Sequence, residues 1–97
     1  MKGAFSAVLG EFVALGMLWH SKNVAKFREN QKAHLWQAES IELVSNKVMA
    51  IVGYGNIGAH CAKAVKAFGT RVIGVKRRPL DCDELQRQNA DEIVGLD

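Results

Sequence analysis

The 97-residue sequence predicts an α/β fold in which a long apolar helix precedes part of a parallel β-sheet. Two short apolar runs, residues 48–52 and 71–75, have the composition of strands that are covered on both faces. Apolar residues between these runs recur at helical spacing, and a connecting helix is typical of two parallel strands. A glycine-rich turn at residues 53–58 joins the first run to this helix. The succession of strand, turn, helix and strand is typical of the first part of a doubly wound parallel sheet.

The first predicted element is a helix over residues 6–22 that is apolar nearly all round. Its hydrophobic residues cover most of the circumference between Val8 and Trp19. A helix of this kind is normally buried on every side. Because so short a chain cannot enclose it, we expect the segment Val8–Trp19 to bind further copies of the chain or a larger protein assembly. Glu11, several glycines and His20 argue against a membrane span, which needs about twenty apolar residues.

The segments that follow this helix are assigned from their polarity. Residues 23–32 are polar and predict an extension of the helix on a solvated face. Residues 34–46 predict a connection that packs locally through five apolar anchors, Leu35, Trp36, Ile41, Leu43 and Val44. We therefore divide the chain into a helical lead-in and connection, residues 1–46, and a sheet-forming part, residues 47–97.

The sheet-forming part predicts two helices and a third strand in addition to the two apolar runs. The first helix, residues 57–68, is expected to face inward with a stripe formed by Ile57, Cys61, Ala64, Val65 and Phe68. Asp81 is predicted to cap the second helix, which ends near residue 89, and Glu84 would complete a capping box. Residues 91–96 predict the third strand.

The distribution of charge argues against a nucleic-acid partner. The net charge is +3, and residues 1–78 contain twelve Lys and Arg against four Glu. Residues 79–97 contain one Arg against six acidic residues. Outside Lys76–Arg78 the basic residues are scattered. They form no basic stripe alternating with aromatic residues, which would be the signature of a nucleic-acid surface.

The two cysteines, Cys61 and Cys82, form neither a disulfide framework nor a CxxC metal motif. A reduced, intracellular and soluble setting is the simpler interpretation. His60 and Cys61 are neighbours on a predicted helix, so their side chains point about 100° apart and cannot share one metal ion. We therefore predict no metal site.

The glycine turn carries the strongest chemical signal in the sequence. Gly53, Gly55 and Gly58 have the G-x-G-x-x-G spacing of a dinucleotide-binding turn and lie between a strand and a helix, as that motif requires. The first glycine allows the tight turn, the second lets the backbone approach the pyrophosphate, and the third allows close packing of helix and strand. Unpaired amides at the start of the helix would point at the phosphates. The alternative is a turn that only connects the two elements. The predicted cofactor-binding residues are Gly53, Tyr54, Gly55, Asn56, Ile57 and Gly58.

The end of the second strand is expected to select the cofactor. A protein that prefers NAD usually has an acidic residue there, which binds the ribose 2′-hydroxyl. This chain has Lys76, Arg77 and Arg78 at that place and no acidic residue before Asp81. Because cationic side chains can pair with a 2′-phosphate, we predict that these three residues bind cofactor and favour NADP over NAD. The arginines are the better candidates, since a guanidinium can be bidentate. The alternative is a solvated loop with relaxed cofactor choice.

Several motifs together resemble the NAD(P)-binding domain of the D-isomer-specific 2-hydroxyacid dehydrogenase family. The run Ala50-Ile-Val-Gly-Tyr-Gly-Asn-Ile-Gly58 is similar to the cofactor turn of that family. The family's Ala-Glu-His helix, its Trp and Glu-Leu-x-Gly-Lys lead-in, its helix exit and its second strand are each matched in order. The matching segments are Leu9-Gly-Glu-Phe-Val-Ala-Leu15, Trp36, Leu43-Val-Ser-Asn-Lys47, Lys66-Ala-Phe-Gly69 and Val72-Ile-Gly-Val75.

The resemblance implies a partial Rossmann fold over residues 47–97 and a part in hydride transfer between NAD(P) and the C2 atom of a 2-hydroxy or 2-oxo acid. It also implies a dimer formed through the long apolar helix. Gly10 and Phe12 replace the Ala and His of the Ala-Glu-His motif. Lys76 stands where the family often has Asp, which strengthens the expectation of NADP. The catalytic Arg, Glu and His of the family lie downstream of the residues present, so the resemblance assigns no catalytic residue.

Three functions remain open from the sequence. The chain is a piece or subunit of a dehydrogenase, a catalytically inactive structural subunit derived from one, or a stand-alone nucleotide-binding module. In each case we expect the 97 residues alone to be inactive.

Overall fold

The computed structural model describes residues 2–96, and side chains from residue 6 onward apart from that of residue 46. It confirms the α/β class. The helices are α1 (Lys2–Ser21), α2 (Val24–Lys32), α3 (Asn56–Lys66) and α4 (Glu84–Asn89), with a single 3-10 turn at Val44–Asn46. The strands are β1 (Val48–Val52), β2 (Arg71–Val75) and β3 (Glu92–Val94).

The strands of the described residues form one parallel sheet in the order β1-β2-β3. Val48 pairs with Arg71 and Val52 with Val75, so the first two strands end level with each other. Both strands have the predicted bounds, whereas β3 is shorter than the predicted range of residues 91–96. The turns that leave β1 and β2 therefore lie at the same edge of the sheet, where open α/β sheets bind ligands.

The core lies where α3 contacts α1 on one side and the sheet on the other. Its fully buried hydrophobic residues are Tyr54, Ala59, Ala62, Val65 and Val72. The predicted stripe on α3 is partly wrong, because Ile57 and Phe68 are 51% and 41% exposed. A helix packed between two neighbours buries a wider surface than one stripe, and two alanines supply the additional contact.

From residue 6 onward, helix α1 packs through one face. A Cβ atom added at Gly10 would lie 3.2 Å from the backbone oxygen of His60, so α1 and α3 approach closely there. The opposite face exposes five large hydrophobic side chains, Val8, Leu9, Phe12, Leu15 and Trp19. Within residues 2–96, no helix is both long and apolar enough to cross a membrane.

Two expectations for the rest of the lead-in are corrected. Asn23 adopts a left-handed conformation, with φ 56°, which separates α2 from α1. Of the five predicted anchors in residues 34–46, Val44 is buried, but Trp36 is fully exposed and the other three are also exposed. The connection is held instead by hydrogen bonds, since the Glu42 amide donates to the Ser21 oxygen and the Thr70 hydroxyl to the Val44 oxygen.

Strand β1 was expected to be covered on both faces, and among the described residues it is covered on one. Met49 and Ile51 face the core, whereas Val48 and Val52 are 58% and 74% exposed. Helix α3 packs on one face of the sheet, and the alternate residues of β1 on the other face have no cover within the described chain.

The predicted cap of α4 is also wrong by two residues. Asp83, and not Asp81, is the N-cap, and its carboxylate accepts from the Gln86 amide at 2.9 Å. The Gln86 side chain accepts from the Asp83 amide at 2.8 Å, which completes the capping box. Asp81-x-x-Glu84 and Asp83-x-x-Gln86 are equivalent sequence signals. Helix α4 begins at Glu84, so Asp83 occupies the N-cap position and the signal Asp83-x-x-Gln86 is the one that is used.

Candidate nucleotide-binding site

The glycine turn is held against the end of β2 by its own backbone. The amides of Gly53 and Tyr54 both donate to the Val75 oxygen, at 2.8 and 2.9 Å, and the Gly55 amide donates to the Gly53 oxygen at 2.9 Å. Gly53 has φ +82°, a left-handed conformation that favours glycine. These three amides are therefore occupied within the protein and shape the turn.

The next amides, at the start of α3, are the donors that a phosphate could use. Ala59 donates to the Gly55 oxygen at 2.9 Å, which is the first hydrogen bond of the helical turn. The amides of Asn56, Ile57 and Gly58 precede it and have no acceptor within the helix. The helix dipole adds positive potential at this end. A Cβ atom added at Gly55 would meet nothing within 4 Å, so a ligand can approach the backbone closely.

Two other glycines allow the elements to pack tightly behind the turn. A Cβ atom at Gly58 would lie 3.1 Å from Cγ2 of Ile51, in agreement with the helix-packing role predicted for this residue. A Cβ atom at Gly74 would lie 2.5 Å from Cδ2 of Tyr54. The tyrosine ring therefore occupies the space above β2 that a side chain at residue 74 would need.

Tyr54 turns away from the ligand side and into the core. Its side chain is fully buried, and its hydroxyl donates to the backbone oxygen of Gln86 at 2.7 Å. Burial raises the pKa of Tyr54 to about 12, so the hydroxyl remains a protonated donor at neutral pH. Its place among the predicted cofactor-binding residues thus rests on the backbone turn, and no sequence signal pointed to the contact with α4.

Of the basic residues after β2, the lysine is hydrogen-bonded within the protein and the two arginines are exposed. The Lys76 amide donates to the Val94 oxygen at 3.0 Å, and its ammonium donates to the Asp81 oxygen at 2.5 Å. Arg77 and Arg78 are exposed, and neither makes an ion pair with any of the described residues. An open depression lined by residues 78–81 adjoins them. The arginines are therefore the more accessible cations at this edge.

Several other titratable side chains are either exposed on the helical lead-in or buried. Glu11, His20 and His34 are exposed and lie on α1 and in the turn after α2. Within residues 2–96, no group of three His, Cys, Asp or Glu side chains could hold a metal ion. Cys61 and Cys82 are both buried and unpaired, and burial raises the pKa of the Cys61 thiol.

This fold and turn define the first part of a Rossmann-type dinucleotide-binding domain. A family model for the D-isomer specific 2-hydroxyacid dehydrogenase NAD binding domain matches residues 14–97. The chain therefore belongs to the D-isomer specific 2-hydroxyacid dehydrogenase family, and it corresponds to the NAD-binding domain of that family.

Solved structures show the same relationship. The chain is 36% identical to a glycerate dehydrogenase related protein from Thermoplasma acidophilum, with a TM-score of 0.78. The alignment covers 94% of this chain and 30% of that protein. It is 30% identical to a D-isomer specific 2-hydroxyacid dehydrogenase family protein from Aeromonas salmonicida, with a TM-score of 0.76 and coverage of 90% and 26%. The sequence thus spans less than a third of the length of these relatives.

A third neighbour has a cofactor in its structure. The NADPH-dependent glyoxylate/hydroxypyruvate reductase of Sinorhizobium meliloti, solved with NADP and sulfate, is 26% identical with a TM-score of 0.65 and coverage of 90% and 31%. Other structural neighbours include one complex with NADPH and one with NAD+. The fold is therefore compatible with either cofactor.

Proposed function

We propose that this chain supplies the pyrophosphate and adenosine half of an NADP(H) site in a D-2-hydroxyacid dehydrogenase. In the whole protein the cofactor would exchange hydride with the C2 atom of a 2-hydroxy or 2-oxo acid. The described residues would bind and orient the adenosine end. The groups that transfer protons to and from the substrate would lie elsewhere in the protein.

The observation that carries this proposal is the pair of exposed residues Asn56 and Ile57, whose amides have no acceptor within the helix. They lie at a helix start, beside unfilled space at Gly55, and at the edge of the sheet where both β1 and β2 end. A pyrophosphate bound there would replace the missing acceptors and gain from the helix dipole. The chain's own residues therefore provide binding without any charged side chain at the turn.

The preference for NADP rests on the loop that follows β2. Arg77 and Arg78 lie on the surface at the strand end, where a ribose 2′-substituent is expected. Lys76 is the weaker candidate of the three predicted residues, since its ammonium already donates to the backbone oxygen of Asp81. A carboxylate at this place would repel a 2′-phosphate, whereas exposed guanidinium groups would attract it.

Calorimetric titration of the purified chain with NADP+ and NAD+ tests both parts of the proposal. We expect NADP+ to bind at least about tenfold more tightly, which corresponds to about 1.4 kcal/mol. Tighter binding of NAD+ would overturn the cofactor preference, and absence of binding by both would favour the alternative of an inactive structural subunit.

Gly55→Val is the matched variant for this titration. A Cβ atom at this position meets no protein atom within 4 Å, and the backbone of Gly55 is extended, with φ −108° and ψ −150°, so the free energy of unfolding should change little. It would occupy the space through which the pyrophosphate approaches, and both cofactors should bind at least about tenfold more weakly. Unchanged binding of both would show that the ligand does not use this turn.

We also propose that the outer face of α1 forms an assembly contact, either between two copies of the chain or with a larger complex. Five large hydrophobic side chains, Val8, Leu9, Phe12, Leu15 and Trp19, are 40–64% exposed on one face. Contiguous apolar surface of this kind commonly marks a protein interface. The same observation supports a structural-subunit role, since such a role requires assembly and no catalysis.

Sedimentation velocity tests the assembly proposal. Phe12→Glu places a charge on the exposed face and is expected to shift the chain from oligomer to monomer at the same concentration. Lys63→Glu changes a charge on exposed α3 surface and should leave the oligomeric state unchanged. A wild-type chain that is monomeric at high concentration would exclude self-association. The partner of the outer face of α1 would then be a different protein.

A further inference from the structure

The residue between the first two glycines connects the turn to a distant helix. The Tyr54 hydroxyl donates to the backbone oxygen of Gln86 at 2.7 Å, across a sequence separation of 32 residues. Its ring is locked in place, because it lies against both Gly74 and Gly58. The position of the hydroxyl is therefore set by the same packing that shapes the turn.

The acceptor of this hydrogen bond is a carbonyl that the helix itself leaves without a partner. Helix α4 spans only Glu84–Asn89, and Ala90 is already extended, with φ −115° and ψ 139°. Gln86 is thus among the last four residues of α4, whose carbonyls have no amide four residues later in the helix. Gln86 is buried, so water does not readily replace the tyrosine hydroxyl.

Gln86 also holds the start of α4. Its amide donates to the Asp83 carboxylate at 2.9 Å, and its side-chain oxygen accepts from the Asp83 amide at 2.8 Å. Gln86 therefore bonds Tyr54 through its backbone carbonyl, and Asp83 through its backbone amide and its side-chain oxygen. Through Gln86, the glycine turn is linked to the end of the loop that follows β2.

That loop, residues 76–83, is itself connected by hydrogen bonds. The Arg87 guanidinium donates to the Cys82 oxygen at 2.5 Å, and the Cys82 thiol donates to the Pro79 oxygen at 3.2 Å. The Asp81 amide donates to the Arg78 oxygen at 3.0 Å. Displacement of α4 would consequently displace the segment that carries the exposed arginines.

We propose that the Tyr54 hydroxyl is a positioning group that fixes the loop at residues 76–83 relative to the glycine turn, and so sets the spacing between the pyrophosphate and 2′-phosphate contacts. The expected effect on ligand binding rests on the proposed function. Its structural basis is the hydrogen-bonded series of Tyr54, Gln86 and Asp83. Tyr54 would act through the loop and would not touch the cofactor with its side chain.

Tyr54→Phe tests this role because it removes one oxygen and keeps the ring. The probes are NADP+, which carries both the pyrophosphate and a 2′-phosphate, and NAD+, which carries the pyrophosphate alone. Loss of one hydrogen bond would weaken binding of NADP+ about fivefold and change binding of NAD+ by less than about twofold. Equal weakening of both nucleotides, or no weakening, would overturn the proposal.

Thr70→Val is the matched control. It also removes a buried hydroxyl that donates to a backbone oxygen, that of Val44 at 3.0 Å, but it lies before β2, at the opposite edge of the sheet from the turn. A comparable loss of stability is expected in both variants. The ratio of the two nucleotide affinities should change only in Tyr54→Phe.

Hydrogen exchange of the Asp81 and Lys76 amides separates this inference from the proposed function. Without ligand, both should exchange about fivefold faster in Tyr54→Phe and at the wild-type rate in Thr70→Val, relative to global unfolding. If wild type binds neither nucleotide, the proposed function fails, and unchanged exchange at these amides would still refute the linkage.

Discussion

The glycine turn and the basic loop, two neighbouring parts of the candidate cofactor site, are built in different ways. The turn at residues 53–58 is backbone held by hydrogen bonds to Val75 and packed against the ring of Tyr54. The loop at residues 76–83 presents exposed arginine side chains on a segment anchored mainly through α4. A substitution behind the turn should therefore change mainly the free energy of unfolding. A substitution of the arginines on the loop should change mainly the affinity for the cofactor.

The largest effect is expected behind the turn, for Gly74→Ala. The new Cβ atom would lie 2.5 Å from the buried Tyr54 ring, which cannot move without losing its hydrogen bond to Gln86. Overpacking of this kind should lower the free energy of unfolding by about 3 kcal/mol, measured by urea denaturation. Gly16→Ala is the control. It meets nothing within 4 Å on a helix, and should raise stability by up to about 1 kcal/mol. A stable Gly74→Ala would mean that the turn is not held by this packing.

The next effect is expected on the loop, for the double variant Arg77→Gln/Arg78→Gln. Loss of two charge-assisted contacts should weaken NADP+ binding about tenfold to a hundredfold and leave NAD+ binding nearly unchanged. The free energy of unfolding should change by less than about 0.5 kcal/mol, because both side chains are exposed. Lys32→Gln/Lys63→Gln removes two exposed positive charges from α2 and α3 and controls for net charge. Equal loss of both cofactors would contradict a 2′-phosphate contact.

A smaller effect is expected where the loop meets α4, for Asp83→Ala. Loss of the N-cap should cost about 1 kcal/mol of stability. Asp81→Ala, at the position that the sequence favoured as the cap, should cost less than about 0.5 kcal/mol, since that side chain caps no helix. Thermal unfolding of the pair measures the difference, and a larger loss for Asp81→Ala would mean that the helix begins two residues earlier.

The smallest effect is expected far from both regions, at Asp91. The Lys66 ammonium and the Val72 amide both donate to this carboxylate, at 2.8 and 2.7 Å, and they lower its pKa. A lowered pKa in the folded state stabilises the fold above the ordinary value of about 4, and this stabilisation is lost as the pH falls through the folded-state pKa. In Asp91→Asn, the free energy of unfolding should therefore fall less steeply as the pH is lowered below about 4. Glu92→Gln, which breaks an exposed ion pair to Arg71, should change it little. Cofactor binding at neutral pH should be unaffected by either.

The elements that could be predicted are those whose signals are local. The bounds of β1 and β2 follow from apolar runs that end in glycine or charge, and the start of α3 follows from the spacing of Gly53, Gly55 and Gly58. Predictions of burial were less accurate. The inner stripe on α3, the anchors in residues 34–46 and the cover on both faces of β1 each required knowledge of which neighbour lies nearby.

The sequence by itself determined the fold class, the glycine turn and the place of the basic residues after β2, because each depends on residue types at short and regular spacing. Only the tertiary structure decided that Tyr54 faces the core and bonds Gln86, that Lys76 is tied to Asp81, and that Asp83 caps α4. These contacts join residues on different elements, or choose between two equivalent local signals. The physical reason is that space and hydrogen-bond partners are assigned only when the helices pack against the sheet.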